Sequence, residues 1–415
     1  MNLFADIVIM TLFRSDNPYS SVSYCLAEEW AKKHRVLYVN HPYSFKDALQ
    51  LLRDKQSPFR KALLRLALGQ MVIREEAPNL TVIQPPLTLP VNWLPPGTLY
   101  NLLHAMNNRI VQRCVQKMIK QRQISHFLFY NCYNPFFLPT LPKDTGVAAN
   151  VYHCIDDISQ NPYTEKHGLR LEHQAMAKAD LTLTTSSTLK ALKEPYAKHI
   201  ALLHNAADVS LFSKVHTEQY PLPAELLGRT QPTIGFVGNL DELRVDYKLV
   251  KQVAEHHSDK TILLVGPVNS PEPEALGLDR MPNVVFTGPK NIKDLPQYLQ
   301  HIDVALIPFR INTLTKSIYP LKINEYLSAG KAVVSTSFSD DIRGFSPVIY
   351  LAADNKHFIQ LINQALQEDG ADKRAERTAA AAHNTWAARA GQLWQLVARY
   401  FPQNLLPIQA KNDAP

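Results

Sequence analysis

Short β-rich apolar runs alternate with helical patterns along almost all of this 415-residue chain, and few folds tolerate that alternation. The first half carries DIVIM, RVLYVN, LTVIQPP, SHFLFY, GVAANVYHCI, LTLTT and HIALLH, and the second PTIGFVG, KTILLVG, NVVFTG, VALIPF, KAVVST and PVIYLA. Most of these runs are apolar at successive positions, not at every second one. Such strands are covered on both faces, as in a parallel sheet flanked by helices. Helical patterns separate them at Ser21–Lys33, Leu103–Gln121, Leu169–Lys178, Ser187–Lys198, Asp246–His257, Ile292–His301, Ile323–Ala329 and Asn355–Gln367. A chain this long exceeds one ordinary core, so the pattern predicts two doubly wound α/β domains.

The strand-free, proline-bearing stretch SLFSKVHTEQYPLPAELLGRTQP marks the change of domain. We expect a first domain over 1–212 and a second over 230–384. A last helix over 385–401, TWAARAGQLWQLVARYF, has aromatic residues that need a surface, and packing back on the first domain supplies one. The tail from Pro402 reads as disordered.

Hydrophobic content of 46% and charged content of 20% suit a soluble globular protein. No apolar run approaches the roughly 18 residues of a membrane span. The N-terminus lacks a basic n-region and a cleavage site, so it reads as a core strand. Four cysteines at irregular spacing form neither a disulfide framework nor a zinc pattern, which fits a cytoplasmic protein. The net charge of +7 favours an anionic partner. Much of it lies in FKDALQLLRDKQSPFRKALLRLALG, where Lys46, Arg53, Lys55, Arg60, Lys61 and Arg65 face only Asp47 and Asp54. With Phe59, Leu63, Leu66 and Ala67 on one helical face, this segment has the pattern of an interfacial helix on an anionic membrane surface, or of an ordinary solvated surface helix.

Ligands of open α/β sheets sit at the carboxyl ends of strands. Gly238 and Asn239 end the first strand of the second domain, and Arg244 follows as a candidate phosphate partner. Gly288 and Lys290 lie where a nucleobase meets backbone, and Asp294 with Gln297 has capping-box spacing. In PLKINEYLSAGKAVV, Pro320 suits a first helical turn, and Lys322 and Glu325 share one face. The free N–H groups of a helix start favour an anion, the lysine adds a charge for phosphate, and the carboxylate suits a ribose diol. In the first domain, the strand GVAANVYHCI runs into His153, Asp156 and Asp157, candidates for a base that deprotonates an acceptor hydroxyl. Asp157 with Gln160 also has capping-box spacing. Arg14, Ser15 and Asn17 follow the first strand, and Asn131 and Asn134 follow HFLFY. These are candidate acceptor contacts.

PLKINEYLSAGKAVV resembles the P-x-K-x-x-E-Y-L-x-x-G-K-x-V-V signature of GT-B glycosyltransferases of the bacterial capsule and exopolysaccharide type (group 1, family 4-like). LLHNAADVSLF, FVGNL and FTGPKNIKDLPQYLQHIDVALIPF resemble that family's other elements, in order. The resemblance implies two Rossmann-like domains facing a cleft and a nucleoside diphosphate-sugar donor, UDP- or GDP-linked. It implies Lys322 on the diphosphate and Glu325 on the ribose. The acceptor would be a saccharide or lipid-linked saccharide, with no required cofactor or metal and no nucleic-acid partner. The expected place is the cytoplasm, either free or attached peripherally to the inner membrane. The chain departs from the pattern at Ser317, where many retaining members carry a glutamate, and at His204 and Ala206, where proline and glycine are usual. A nucleotide-sugar epimerase of the same design and a non-catalytic saccharide-binding module are the alternatives.

Overall fold

The computed structural model describes residues 6–17, 21–53, 55, 59–160, 162–229 and 231–402. It divides into two compact units. The first holds residues 1–185, 189–203 and 390–415, and the second holds 186–188 and 204–389. The chain therefore changes unit at Leu203, before the proline-bearing stretch. The reason is packing: Phe212 and Leu226, which lie in or beside that stretch, are buried in the core of the second unit.

In the first unit the strands are β1 (Asp6–Thr11), β2 (Arg35–Val39), β3 (Val72–Ala77), β4 (Leu80–Gln84), β5 (Phe127–Cys132), β6 (Val147–Cys154), β7 (Leu181–Thr184) and β8 (Ile200–Leu202). They form one sheet in the order β3-β4-β2-β1-β5-β6-β7-β8. Val8 of β1 stands between Leu37 of β2 and Phe129 of β5, so one register fixes the centre. Phe127 and Phe129 are fully buried, and burial of such a side chain stabilises by roughly 1.5–3 kcal/mol. A wholly parallel sheet was expected, but the edge strand β3 runs antiparallel to β4. Its sequence VIREEA is half charged and mostly exposed, which suits an edge strand.

Helices α1 (Val22–Ala31), α2 (Phe45–Arg53), α3 (Leu63–Ala67) and α4 (Thr98–Gln121) follow in order. The basic segment is thus two short helices with a 3₁₀ turn at Arg60–Ala62, and Asp54 and residues 56–58 of it lie outside the described residues. Phe59 and Leu66 point into the protein, while Leu64 and Leu68 stand 72% and 68% exposed. Of the expected apolar face, Phe59 and Leu66 are thus buried while Leu63 is half-buried and Ala67 exposed, and a different set of leucines meets solvent. The last helix, Trp386–Tyr400, buries Leu393 and Val397. Its Trp394 ring packs against Trp30 and His34 of the first unit at 6.0 and 5.2 Å. The tail from residue 403, expected to be disordered, lies outside the described residues.

The second unit has β9 (Thr233–Val237), β10 (Thr261–Val265), β11 (Val284–Phe286), β12 (Val304–Ile307), β13 (Ala332–Thr336) and β14 (Tyr350–Ala352), ordered β11-β10-β9-β12-β13-β14 and all parallel. The pattern Ile292–His301 resolves into a 3₁₀ turn at Ile292–Asp294 and a helix at Leu295–Gln300. Asn291 caps the turn, and Gln297 donates to the Pro221 carbonyl, so the Asp294–Gln297 capping box does not form.

Candidate active site

In the second unit β9 leads to β10 on one side and lies against β12 on the other, so strand order reverses beside β9. The carboxyl end of β9 is thus the crevice where such sheets take ligands. Three loops interlock there. Gly238 N–H donates to Val265 O at 2.9 Å, and Gly266 N–H donates to Gly288 O at 3.1 Å. Gly266 has φ +144°, and a Cβ on it would sit 1.8 Å from the Gly238 carbonyl oxygen. Only glycine fits there. A Cβ on Gly238 would crowd the Phe236 ring at 2.9 Å and touch the Lys322 Cε at 3.4 Å, an ordinary contact distance.

The lysine rides on the helix Leu321–Ser328. Pro320 is its N-cap, with φ −74° and ψ 112°, one position earlier than its expected place in the first turn. Lys322 Nζ meets Glu325 Oε2 at 2.8 Å, with the glutamate side chain 4% and the lysine side chain 26% exposed. Tyr326, the next residue, is fully buried. Its hydroxyl accepts from Val237 N–H at 2.8 Å and donates to Val237 O at 3.2 Å. This residue was not singled out in the sequence, although it stands beside Glu325 in the motif. It bolts the helix to the end of β9 and so fixes where Lys322 and Glu325 stand. The arrangement offers a cation, a carboxylate and free helix N–H groups within one turn, the set that a diphosphate joined to a diol requires.

The other expected donor contacts are partly engaged elsewhere. Arg244 Nη1 pairs with Asp241 at 2.6 Å. Asn239 accepts from Asn269 at 2.9 Å and donates to Asp241 at 3.3 Å. Lys290 pairs with Glu225 at 2.6 Å and lies 5.3 Å from the centre of the Tyr298 ring. The hydrogen bond to Glu225 raises the lysine's pKa. Lys290 is therefore a brace between two segments of this unit, not a free cation beside a base. Gly288 has φ +70°, and open space surrounds the position of its absent Cβ. Ser317 is fully buried and its hydroxyl donates to Leu314 O at 2.7 Å, so no side-chain acid stands at that position.

In the first unit strand order reverses at β1 and β5. His153, on β6, is 1% exposed and bonded through Nδ1 to the Tyr130 hydroxyl. Burial pushes its pKa down to about 3. Buried and held by Tyr130, His153 is a weaker base than a free imidazole and a poorer candidate than the two aspartates. Asp157 is 7% exposed, and its Oδ1 accepts from Ser159 N–H at 3.1 Å and the Ser159 hydroxyl at 2.8 Å. Gln160 N–H bonds to the Asp157 backbone carbonyl, so the turn is capped from within but not by the expected box. Lys193 Nζ lies 4.0 Å from Asp157 and 2.7 Å from buried Glu172. Burial works against the charge on Lys193, but Glu172 outweighs it and lifts the lysine's pKa. Asp156 is half-buried and accepts from Asp157 N–H at 2.9 Å.

Asn131 and Asn134 are fully buried and turned inward. Asn131 donates to Asn134 O and Leu138 O at 2.9 and 2.8 Å. Asn134 donates to Thr11 O at 2.8 Å and accepts from the backbone of Phe136 and Phe137. They fold the strand-end loop and touch no solvent, so they are withdrawn as acceptor contacts. Elsewhere in this unit a cavity of about 310 Å³ is walled by His41, Lys46, Asp47, Trp93, Asn107 and Phe137. Its walls follow β2, β4 and β5, and no run of sequence signalled it. Near β1, Arg14 lies 4.0 Å from the centre of the Tyr43 ring and 3.5 Å from Asp16. Ser15 N–H donates to Asn40 Oδ1, and Asn17 is exposed.

Residues 231–368 match the family described as glycosyl transferases group 1. That match lies wholly within the second unit. The chain is 31% identical over 172 residues to TuaH of Bacillus subtilis (strain 168), named as a glycosyltransferase of teichuronic acid biosynthesis. That match takes in 40% of this chain and 43% of TuaH. Among solved structures, the chain is similar to sucrose-phosphate synthase from Thermosynechococcus elongatus, with TM-score 0.63, 15% identity, and 96% and 99% of the two chains covered. It is also similar to an α,α-trehalose-phosphate synthase (UDP-forming) from Burkholderia vietnamiensis, with TM-score 0.67, 10% identity, and 94% and 96% covered. A third is Anabaena Alr3699/HepE in complex with UDP and glucose, with TM-score 0.57, 16% identity, and 95% and 99% covered. The fold is GT-B. Lys322 and Glu325 both fall inside the matched glycosyltransferase domain.

Among the described residues no cluster of three or more His, Cys, Asp or Glu side chains is placed to hold a metal ion. Among them, too, no helix is long and apolar enough to cross a membrane.

Proposed function

We propose that this chain transfers a sugar, of the hexosyl type, from a nucleoside diphosphate donor to a saccharide or lipid-linked saccharide in cell-surface polysaccharide biosynthesis. The observation that carries it is the Lys322–Glu325 pair, held against the interlocked loops of Gly238, Gly266 and Gly288. Lys322 and the helix N–H groups take the diphosphate, and Glu325 takes the ribose diol. The domain match supports a sugar-nucleotide donor, and the Anabaena protein, solved with UDP and glucose, supports a UDP-sugar over a GDP-sugar.

The acceptor belongs to the first unit, where the cavity beside Trp93 and Phe137 offers aromatic faces and polar edges to a saccharide. In the transfer, the acceptor hydroxyl oxygen bonds to the anomeric carbon as the bond to the diphosphate oxygen breaks. The proton passes to Asp156 or Asp157, and the nucleoside diphosphate leaves with the electron pair. Positive charge at Lys322 and the helix N-terminus stabilises that leaving group without a metal. The similarity to TuaH supports a place in polysaccharide biosynthesis. A lipid-linked acceptor would hold the chain at the cytoplasmic face of the membrane.

Incubation with UDP-, GDP- and dTDP-sugars, with and without saccharide acceptors, tests the proposal. Transfer to the acceptor is expected. Formation of a sugar-nucleotide isomer without acceptor would make the chain an epimerase, and no turnover with retained saccharide binding would make it a binding module.

A further inference from the structure

A second groove in the first unit lies away from the Trp93 cavity. It encloses about 600 Å³ between α3, β3 and α4. Its apolar wall includes Met71, Ile73 and Ile110, and Arg65, Arg113 and Lys117 line it as cations. Arg113 and Lys117 are one turn apart on α4, so their side chains share a face. Among the described residues no acidic side chain lines the groove, and none of the three cations has a carboxylate partner. Three like charges around an apolar floor are a poor arrangement for an empty surface and a good one for an anion attached to an apolar body.

The surroundings say where that body comes from. Of the eighteen large apolar side chains that stand exposed among the described residues, ten fall between residues 45 and 106. Arg65 lies between Leu64 and Leu68, exposed to 72% and 68%. On neighbouring α2, Phe45, Leu49 and Leu52 are exposed to 49%, 65% and 51%, beside the basic Lys46 and Arg53. Apolar side chains standing out among uncompensated cations complement a leaflet whose surface is anionic and whose interior is hydrocarbon.

We propose that the groove between α3, β3 and α4 receives the phosphate headgroup of an anionic phospholipid, while Leu64, Leu68 and the exposed face of α2 enter the acyl boundary. The choice of a leaflet accords with the function proposed above, one form of which has its acceptor carried on lipid; the groove and its charges stand independently of it.

The test is partition of the full chain onto vesicles at about 0.1 M salt, where charges more than about 10 Å apart are screened. No sugar donor is present, so failure here leaves donor binding untouched, and failure of sugar transfer leaves this measurement untouched. Binding is expected to phosphatidylglycerol-containing vesicles and not to phosphatidylcholine vesicles. The double variant R113Q/K117Q should lower the partition coefficient about tenfold to thirtyfold, at roughly a kcal/mol per basic residue near the surface. The control K248Q/K356Q removes two exposed lysines of the second unit for the same loss of net charge, and should change it less than about twofold. L64S/L68S should weaken partition even after added salt has removed the charge contribution. Equal losses in the control, equal binding to both vesicle types, or displacement from vesicles by millimolar inorganic phosphate at constant ionic strength would each overturn the proposal. The last outcome would mark a site for free phosphate.

Discussion

Removal of the Glu325 carboxylate separates the ribose assignment from an ordinary helix ion pair. In the absence of ligand its partner is Lys322 at 2.8 Å, on the same helix and partly exposed. Such a pair is worth about 0.3–0.5 kcal/mol to a helix, so Glu325→Ala should lower stability only slightly. Donor binding is different. Two hydrogen bonds from a ribose diol to a nearly buried carboxylate contribute about 1.5 kcal/mol each. Release of Lys322 from competition offsets a few tenths of that. The net loss of about 2–3 kcal/mol corresponds to a Kd raised roughly 30- to 150-fold. Isothermal titration with UDP and GDP, beside thermal melts of both proteins, reads the two quantities separately. An unchanged Kd would refute the diol contact. A melting temperature lowered by more than a few degrees would mean that Glu325 holds the fold together.

Other substitutions probe the remaining parts. Gly266→Ala forces a methyl group into the Gly238 carbonyl; it should cost at least about 2 kcal/mol and abolish donor binding, and normal melting with normal titration would contradict the close approach. Asp157→Asn keeps an oxygen to accept from Ser159, so transfer should fall at least about 100-fold with the melting temperature nearly unchanged; a collapse in melting would assign Asp157 to structure alone. His41 and His153 are both held by burial at a pKa of about 3, below an unfolded value near 6.5. The unfolded chain binds more protons between those values, so this contribution is intact above about pH 6.5 and is lost as pH falls toward 3. Denaturant midpoints should drop across that interval, and a flat profile from pH 6.5 to about 4.5 would contradict the burial of neutral histidines.

Local features were legible in the sequence and non-local ones were not. The central strands announced themselves because successive residues, such as Val8 and Ile9 or Leu128 and Phe129, are apolar and so cover both faces of the sheet. Lys322 and Glu325 could be paired on paper because one helical turn joins them. β3 escaped because its short run is half charged and mostly exposed, as an edge strand's can be. The Lys290 brace was hidden because Glu225 is 65 residues away in the chain. Asn131 and Asn134 come at the end of a strand, as acceptor contacts should, but both amides are spent on backbone carbonyls, those of the loop and of Thr11. The Trp93 cavity draws its walls from three separate stretches, and its lining has no sequence pattern to find.

The helix Trp386–Tyr400 lends residues to the unit built from the chain's beginning. During synthesis, Trp30 and His34 emerge from the ribosome some 360 residues before Trp394 arrives to cover them. Until then the early unit carries an uncovered aromatic face, a holding site for a chaperone. A stop codon between residues 353 and 390 would leave that face bare for good, even though every strand of both sheets had already been made.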